Sequence, residues 1–404
     1  VRIASTRLAL VALILCGTGA CSDRARSTAP APRPSASAAP SAPSTPTDDL
    51  DARALITRFE CARCHGALGE VPASKSCTVC HDAIRAGTFA AAAADLARWQ
   101  GHVRTFLDIP SLSGAAMLRR DYVVRQLLAP SDQRPGLAAM MPRLAISDEE
   151  ARAIAAFLVP SDDASSLPRG DAARGRASLA SLGCTQCHAT SNAPVVEATP
   201  DVARAVALAP DLRLTRHRLR PAAIARFLAA PRVLVPDGAM PDFGLTEPVI
   251  RDLVTCLLEC EFEPPATAPI ASLPSPLSRP VRYEEVDARV FHASCRHCHA
   301  TAEFALGDGG AGNTGGFGFP PRGIVLDSFT GSQSGSIGAD GRRHSLYEPM
   351  PDGTPRLVAV LLARHVEVSG GSVEGLRGMP LGMPPLPLED IALIDAWILQ
   401  GRSR

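Results

Sequence analysis

Four times in 404 residues the chain reads Cys-x-x-Cys-His: Cys61-Ala-Arg-Cys64-His65, Cys77-Thr-Val-Cys80-His81, Cys184-Thr-Gln-Cys187-His188 and Cys295-Arg-His-Cys298-His299. With only 12 cysteines and 10 histidines in the whole chain, random placement predicts on the order of 0.01 such matches, so a chemical requirement must set the spacing. Two cysteines separated by two residues stand about one helical turn apart, which lets both thiols form thioethers with the two vinyl groups of one haem. The adjacent histidine then lies beneath the porphyrin and offers a ring nitrogen to the iron. Two other chemistries compete for this spacing. A zinc site needs two further ligands for each pair, and a thioredoxin-like redox pair has no use for the histidine and needs a βαβ context. An even cysteine count outside the cytoplasm ordinarily suggests disulfides, but this spacing is not a disulfide framework. The expected cofactors are four covalently attached haem c groups, held by Cys61 and Cys64, Cys77 and Cys80, Cys184 and Cys187, Cys295 and Cys298, with His65, His81, His188 and His299 on the irons.

Composition bears on the same point. The chain is an ordinary 46% hydrophobic but only 4% aromatic, and four porphyrins would supply flat apolar bulk that such cores otherwise take from Phe, Tyr and Trp. Its 41 basic and 41 acidic residues balance, which argues against a nucleic-acid partner, since neutralising phosphates takes a basic excess. Lys75 is the only lysine, so the basic charge is almost all arginine. Each haem adds two propionates, about eight negative charges for four, so the loaded protein is expected to be acidic.

The N-terminus reads as an export signal over residues 1–20. Arg2 and Arg7 precede an apolar run from Leu8 to Leu15, too short to span a bilayer, and small residues follow. Thr18-Gly19-Ala20-Cys21 resembles a bacterial lipoprotein box, which implies lipidation of Cys21; the alternative is ordinary cleavage near Ala20. Residues 21–47 are a Pro/Ala/Ser tether with no apolar period and no means of building a core. The expected location is the periplasm, with a lipid anchor in the outer or inner membrane.

From Asp48 to Arg404 the chain resembles the c-type cytochromes. In that family a helix leads into Cys-x-x-Cys-His, a distal loop delivers a methionine to the other face of the haem, and a last helix crosses the first. The resemblance implies an all-α fold: three tandem cytochrome c-like domains with covalently bound haems, long loops and a disordered N-terminal tether. The expected boundaries are a dihaem domain at 48–160, a monohaem domain at 161–265, and a monohaem domain with a glycine-rich insertion at 266–404.

In the middle domain Asp171 is placed to cap a helix that runs into Cys184. Gly175 inside that helix costs about 1 kcal/mol against alanine unless something needs the room, and in the family the matching glycine admits the terminal helix. Pro210-Asp-Leu212 matches the segment whose proline carbonyl orients the proximal histidine. Met240-Pro241 precedes Thr246, the expected cap of a last helix over Glu247 to Leu258. The first domain repeats this order with Pro110-Ser-Leu112, Met141-Pro142 and Ser147, where Ser147 and Glu150 form a capping box. Met141 and Met240 are therefore the expected axial ligands of the Cys61 and Cys184 haems. The stretch from about Gly66 to Asp108 reads as an insertion carrying the Cys77 haem, with His102 as its distal ligand and Met117 and Met140 as alternatives. In the third domain Met379 is chosen by the family's spacing, against Met383 and His365. Cys256 and Cys260 remain, with a packing thiol at Cys256 as the default and a bond at a frayed helix end as the alternative.

Irons with protein ligands on both faces have no open position, which leaves single-electron transfer. The expected function is a tetrahaem carrier between redox donors and acceptors at the cell envelope, an electron carrier rather than a catalyst. A peroxidase-like enzyme with an open haem at Cys77, Cys80 and His81, and a redox or sensor subunit of a larger membrane complex, are the alternatives.

Overall fold

The computed structural model of the protein describes residues 50–404 apart from 72–75, 103–108, 111, 132, 135–140, 161–166, 193–199, 236–237, 265–268, 301–322, 339, 370 and 372. The export signal, the tether with Cys21, and the glycine-rich run from Gly307 to Gly318 lie outside the described residues. Helix makes up 52% of the structure and strand 3%, a mostly helical content compatible with an all-α fold. The sheet found among the described residues pairs β1 (Ser336–Ile337) with β2 (Arg343–His344) in antiparallel register.

The apolar side chains bury in three large successive clusters, each drawn from one stretch of chain, and one small cluster within the first stretch. In the first, α1 (Ala52–Arg58) starts at Asp51, whose carboxylate accepts the Arg53 N–H at 2.9 Å. A short insertion follows, with α2 (Cys77–Ala86) and α3 (Ala93–His102) closing a small cluster of their own over Cys80, Ile84 and Trp99. α4 (Arg120–Leu128) and α5 (Asp148–Leu158) then return to α1, so that Leu55, Ile56, Phe59, Val123, Val124, Leu127, Ile154 and Val159 form one core. The capping box fixes where α5 begins: Ser147 Oγ accepts the Glu150 N–H at 3.2 Å and the Glu150 carboxylate accepts the Ser147 N–H at 3.0 Å.

The second cluster is built on α6 (Ala172–Ser181) and α11 (Glu247–Glu259). Between them run α7 (Pro200–Leu208), α8 (Thr215–Arg218), α9 (Pro221–Ala229) and α10 (Pro231–Leu234). α6 and α11 touch backbone to backbone. A Cβ on Gly175 would lie 2.1 Å from the Asp252 carbonyl oxygen, far inside any contact distance. Asp252 reinforces the crossing from the other side, accepting the Asp171 N–H at 2.6 Å and Arg174 Nε at 2.8 Å. Asp171 caps α6 through the Arg174 N–H at 2.9 Å, while Thr246 stands at the N-cap of α11 without a side-chain capping bond. The packing-thiol reading of Cys256 is corrected, because Cys256 is bonded to Cys260 with their Cα atoms 4.7 Å apart. Cys260 lies one residue past the end of α11 with extended backbone (φ −61°, ψ 134°), which frees it from helical spacing.

The third cluster takes most of the aromatic side chains that pack in the core. α12 (Tyr283–Val286) continues as a wider π-helical stretch, Asp287–Cys295, directly into the fourth motif. α13 (Phe329–Gln333), α14 (Arg356–Val368) and α15 (Leu388–Leu399) complete it. Trp397 is fully buried, with Tyr283, Phe291 and Tyr347 rings 5.9, 6.2 and 5.6 Å from it, and its indole N–H donates to the Ser403 carbonyl at 2.8 Å. The buried residues of the second cluster include no aromatic, so the shortage of rings falls on the earlier part of the chain.

Main-chain bonds tie the clusters together. Arg119 N donates to the Arg218 carbonyl at 2.9 Å, Arg220 N to the Met117 carbonyl at 3.1 Å, and Asp211 N to the Gln133 carbonyl at 2.8 Å. Residues 47–404 form one unit. The Gly175 contact yields the first prediction: Gly175→Ala should lower the unfolding free energy by about 1–3 kcal/mol, read as a fall in denaturant midpoint. An unchanged midpoint would mean that α6 and α11 do not depend on this approach.

Candidate haem-binding sites

Three of the four motifs fold into the same tight turn. Cys64 N and His65 N both point back to the Cys61 carbonyl, at 3.2 and 2.8 Å; Cys187 N and His188 N to the Cys184 carbonyl, at 3.3 and 3.0 Å; Cys298 N and His299 N to the Cys295 carbonyl, at 3.2 and 2.9 Å. The turn places each cysteine pair on one side and the histidine just beyond. Before the first and third motifs the chain passes through left-handed backbone, at Glu60 (φ 53°) and Gly183 (φ 75°), which ends the leading helix and starts the turn. The second motif is built differently. Ser76 caps α2 by accepting the Val79 N–H at 3.3 Å, so Cys77, Cys80 and His81 all lie on an α-helix.

Proline carbonyls hold two of the imidazoles. His65 Nδ1 meets the Pro110 carbonyl at 3.2 Å, and His188 Nδ1 meets the Pro210 carbonyl at 2.7 Å. A carbonyl can only accept, so the proton sits on Nδ1 and the lone pair on Nε2, the form in which imidazole binds a metal. Burial favours that neutral ring and pushes both pKa values below the ordinary histidine value, with the Arg218 charge adding to the effect at His188. The segment that supplies the Pro210 carbonyl is anchored beside its motif, where Leu212 N donates to the Ala189 carbonyl at 3.0 Å; in the third cluster Leu326 N makes a similar main-chain bond to the His299 carbonyl at 2.5 Å. His81 Nδ1, in contrast, is enclosed without a hydrogen-bond partner, and burial brings its pKa down to about 4.

The first, second and fourth motifs converge. Cys64 and Cys77 lie close enough to perturb each other: the neighbouring Cys77 and burial push the Cys64 thiol up, while the neighbouring Cys64 and the Arg63 charge bring the Cys77 thiol down. Cys298 lies within electrostatic reach of both Cys77 and Arg63. The His81 ring stands 5.9 Å, centroid to centroid, from His297, the residue between Arg296 and Cys298. His297 was not among the residues singled out by sequence, because as an interior residue of the motif its identity carries no signal for thioether formation.

The methionines lie on the loops that follow. Met141 packs half-buried on the first cluster, with Gln126 Nε2 4.0 Å from its sulfur. Its carbonyl accepts Arg377 Nε at 3.1 Å from the third cluster. Met240 is half-buried in the extended segment before α11. Met379 packs on the third cluster, and its N–H donates to the Val360 carbonyl at 3.0 Å. Of the alternatives, His365 Nε2 is engaged with the Leu386 carbonyl at 2.9 Å and Met383 gives its carbonyl to Arg364 Nε at 2.9 Å. Met140 lies outside the described residues; His102 ends α3, and its side chain is outside them too.

Arginines surround these loops. Arg213 is matched by Asp211 at 2.7 Å, both side chains under 10% exposed, and Arg216 donates to the Cys260 carbonyl. Arg218, close to His188, keeps an enclosed Nε with no partner. Buried Glu367 accepts Arg364 at 3.1 Å, Arg377 at 3.4 Å and the Gly378 N–H at 2.7 Å, and Arg364 Nη2 is enclosed without a partner. Paired thiols on one turn, two imidazoles with Nδ1 already engaged, and guanidinium groups that each keep one enclosed nitrogen without an acceptor are the donor set that a covalent haem with two propionates takes, so the residues fit that group. Among the described residues no group of three or more His, Cys, Asp or Glu side chains is placed to hold a bare metal ion.

No family model, curated protein or solved structure matches this chain.

The Arg377 bridge yields the second prediction. Arg377→Met leaves the Met141 carbonyl and one oxygen of buried Glu367 without their cation, and should cost on the order of 3 kcal/mol in chemical denaturation. A loss no greater than the ~1 kcal/mol of a surface ion pair would show that the two loops are held by other contacts.

Proposed function

We propose that the chain is a tetrahaem c-type cytochrome that carries single electrons between redox partners. The observation that carries this reading is the repeated Cys-x-x-Cys-His turn, with the imidazoles of His65 and His188 held at Nδ1 by the Pro110 and Pro210 carbonyls. A haem with protein ligands on both faces exchanges single electrons and has no open position for a substrate.

The chain's own residues have distinct tasks. Cys61 and Cys64, Cys77 and Cys80, Cys184 and Cys187, and Cys295 and Cys298 form the thioethers. His65, His81, His188 and His299 would hold the iron through imidazole nitrogen, and Met141, Met240 and Met379 would hold it through sulfur. Methionine raises the potential relative to a second histidine, so three higher-potential centres are expected. Arg218 and Arg364, each with an enclosed nitrogen lacking an acceptor, neutralise propionates. The three clusters then act as the three haem modules inferred from sequence. With one lysine in the chain, partner docking uses arginine or an uncharged rim. This reading includes an export signal over residues 1–20 and a lipid on Cys21, which would tether the carrier to a membrane surface at the cell envelope.

Expression with a haem-maturation system tests this. Intact mass should show four haems per chain, and alkylation should leave all eight motif cysteines unlabelled. Met240→Ala should keep its haem attached but convert it to a high-spin form that binds carbon monoxide. A Met240→Ala protein with an unchanged low-spin spectrum would remove Met240 from the ligand set, and a protein that matures without haem would overturn the reading as a whole.

A further inference from the structure

We propose that His297, the interior histidine of the fourth motif, is the second axial ligand of the haem attached at Cys77 and Cys80, opposite His81 and in place of His102. The inference rests on the haem reading above and adds a ligand that crosses from the third cluster to the insertion of the first.

The ring pair carries it. An imidazole nitrogen binds a metal ion at about 2 Å and lies about 1.1 Å from its own ring centre, so two imidazoles on opposite faces of one iron have centroids about 6 Å apart. His81 and His297 are 5.9 Å apart, with their planes inclined by 37°. The surroundings agree independently of the rings. Cys77 and Cys298 lie within electrostatic reach of each other, which brings the second and fourth attachment sites side by side. The second motif is also the one that needs a ligand from elsewhere. Met141, the methionine repeated at the Met240 offset in the first domain, follows Pro110, and the Pro110 carbonyl holds His65 rather than His81.

A bis-histidine centre here closes the position that a peroxidase-like reading needs. It also makes one haem of the four lower in potential than its three His/Met neighbours, because a second imidazole stabilises the ferric state relative to a thioether.

The experiment uses the full-length holoprotein. Haem count by intact mass comes first, since it tests the haem reading separately from the ligand assignment. A wild-type chain without haem on Cys77 and Cys80 overturns both. With four haems present, EPR and near-infrared spectra of the oxidised wild type should show one bis-imidazole centre. His297→Ala leaves Cys295, Cys298 and His299 in place, so four haems should still attach, and one of the four should become high-spin and bind carbon monoxide. Added imidazole should restore it to low spin. His297→Met, which keeps six ligands, should instead raise the potential of one haem while all four stay low-spin, a result that loss of packing would not produce. Retention of the bis-imidazole signature in both His297 variants overturns the assignment. So does a high-spin haem produced by His102→Ala and not by His297→Ala.

Discussion

An imidazole proton given to a proline carbonyl is the interaction around which two of the binding turns are organised. The His65 and His188 bonds, at 3.2 and 2.7 Å, fix the tautomer, the ring plane and the position of a loop far along the chain in one contact. Because the acceptor is main chain, its place is set by the backbone around it. Leu212 N on the Ala189 carbonyl secures that backbone in the second cluster, and Leu326 N on the His299 carbonyl ties the corresponding segment in the third. The helices then have a subordinate task. The α6 and α11 crossing, tight enough to exclude a Cβ at Gly175, holds the leading helix while the turn after Gly183 presents the cysteines.

The clusters are joined by polar contacts. Arg377 spans the Met141 loop and Glu367, and Glu367 in turn is shared with Arg364 and the Gly378 N–H. Buried ion networks of this kind contribute little net stability compared with an apolar filling of the same volume, but they penalise misplacement heavily, since a shift strands a charge. Two methionine loops, one from the first cluster and one from the third, therefore share one set of charges. A displacement in either is felt at the other.

Much of this was legible in the sequence where the signal is local. Ser147 with Glu150, Asp171 at the start of α6, and Gly175 in its interior each have a cause within a few residues or a clear reason to violate helix propensity. The motifs are read directly from their spacing, but the same spacing forms a turn at Cys61, Cys184 and Cys295 and an α-helix at Cys77, a difference set by the Ser76 cap and the residues around it. Contacts between distant segments were not legible. Nothing near Arg377 announces a Met141 carbonyl, and the Cys256 to Cys260 bond depends on α11 ending at Glu259, one residue before a helix-bound cysteine would have been too constrained. His297 is the sharpest case. It lies inside the most conspicuous motif in the chain, at a position where thioether chemistry accepts any residue, so only proximity in three dimensions sets it apart.

The meeting of His81 with His297 gives the molecule a temporal order. A chain is made from its N-terminus, and domains generally form as units in that order. The first cluster closes from residues 55–159 and the second from 179–260, so each completes as its own residues emerge. The helix that carries Cys77, Cys80 and His81 closes a small cluster with α3, but the contact of His81 with His297 waits for a residue more than half the chain later. A contact begun early in the chain is thus completed only when the third cluster has been made.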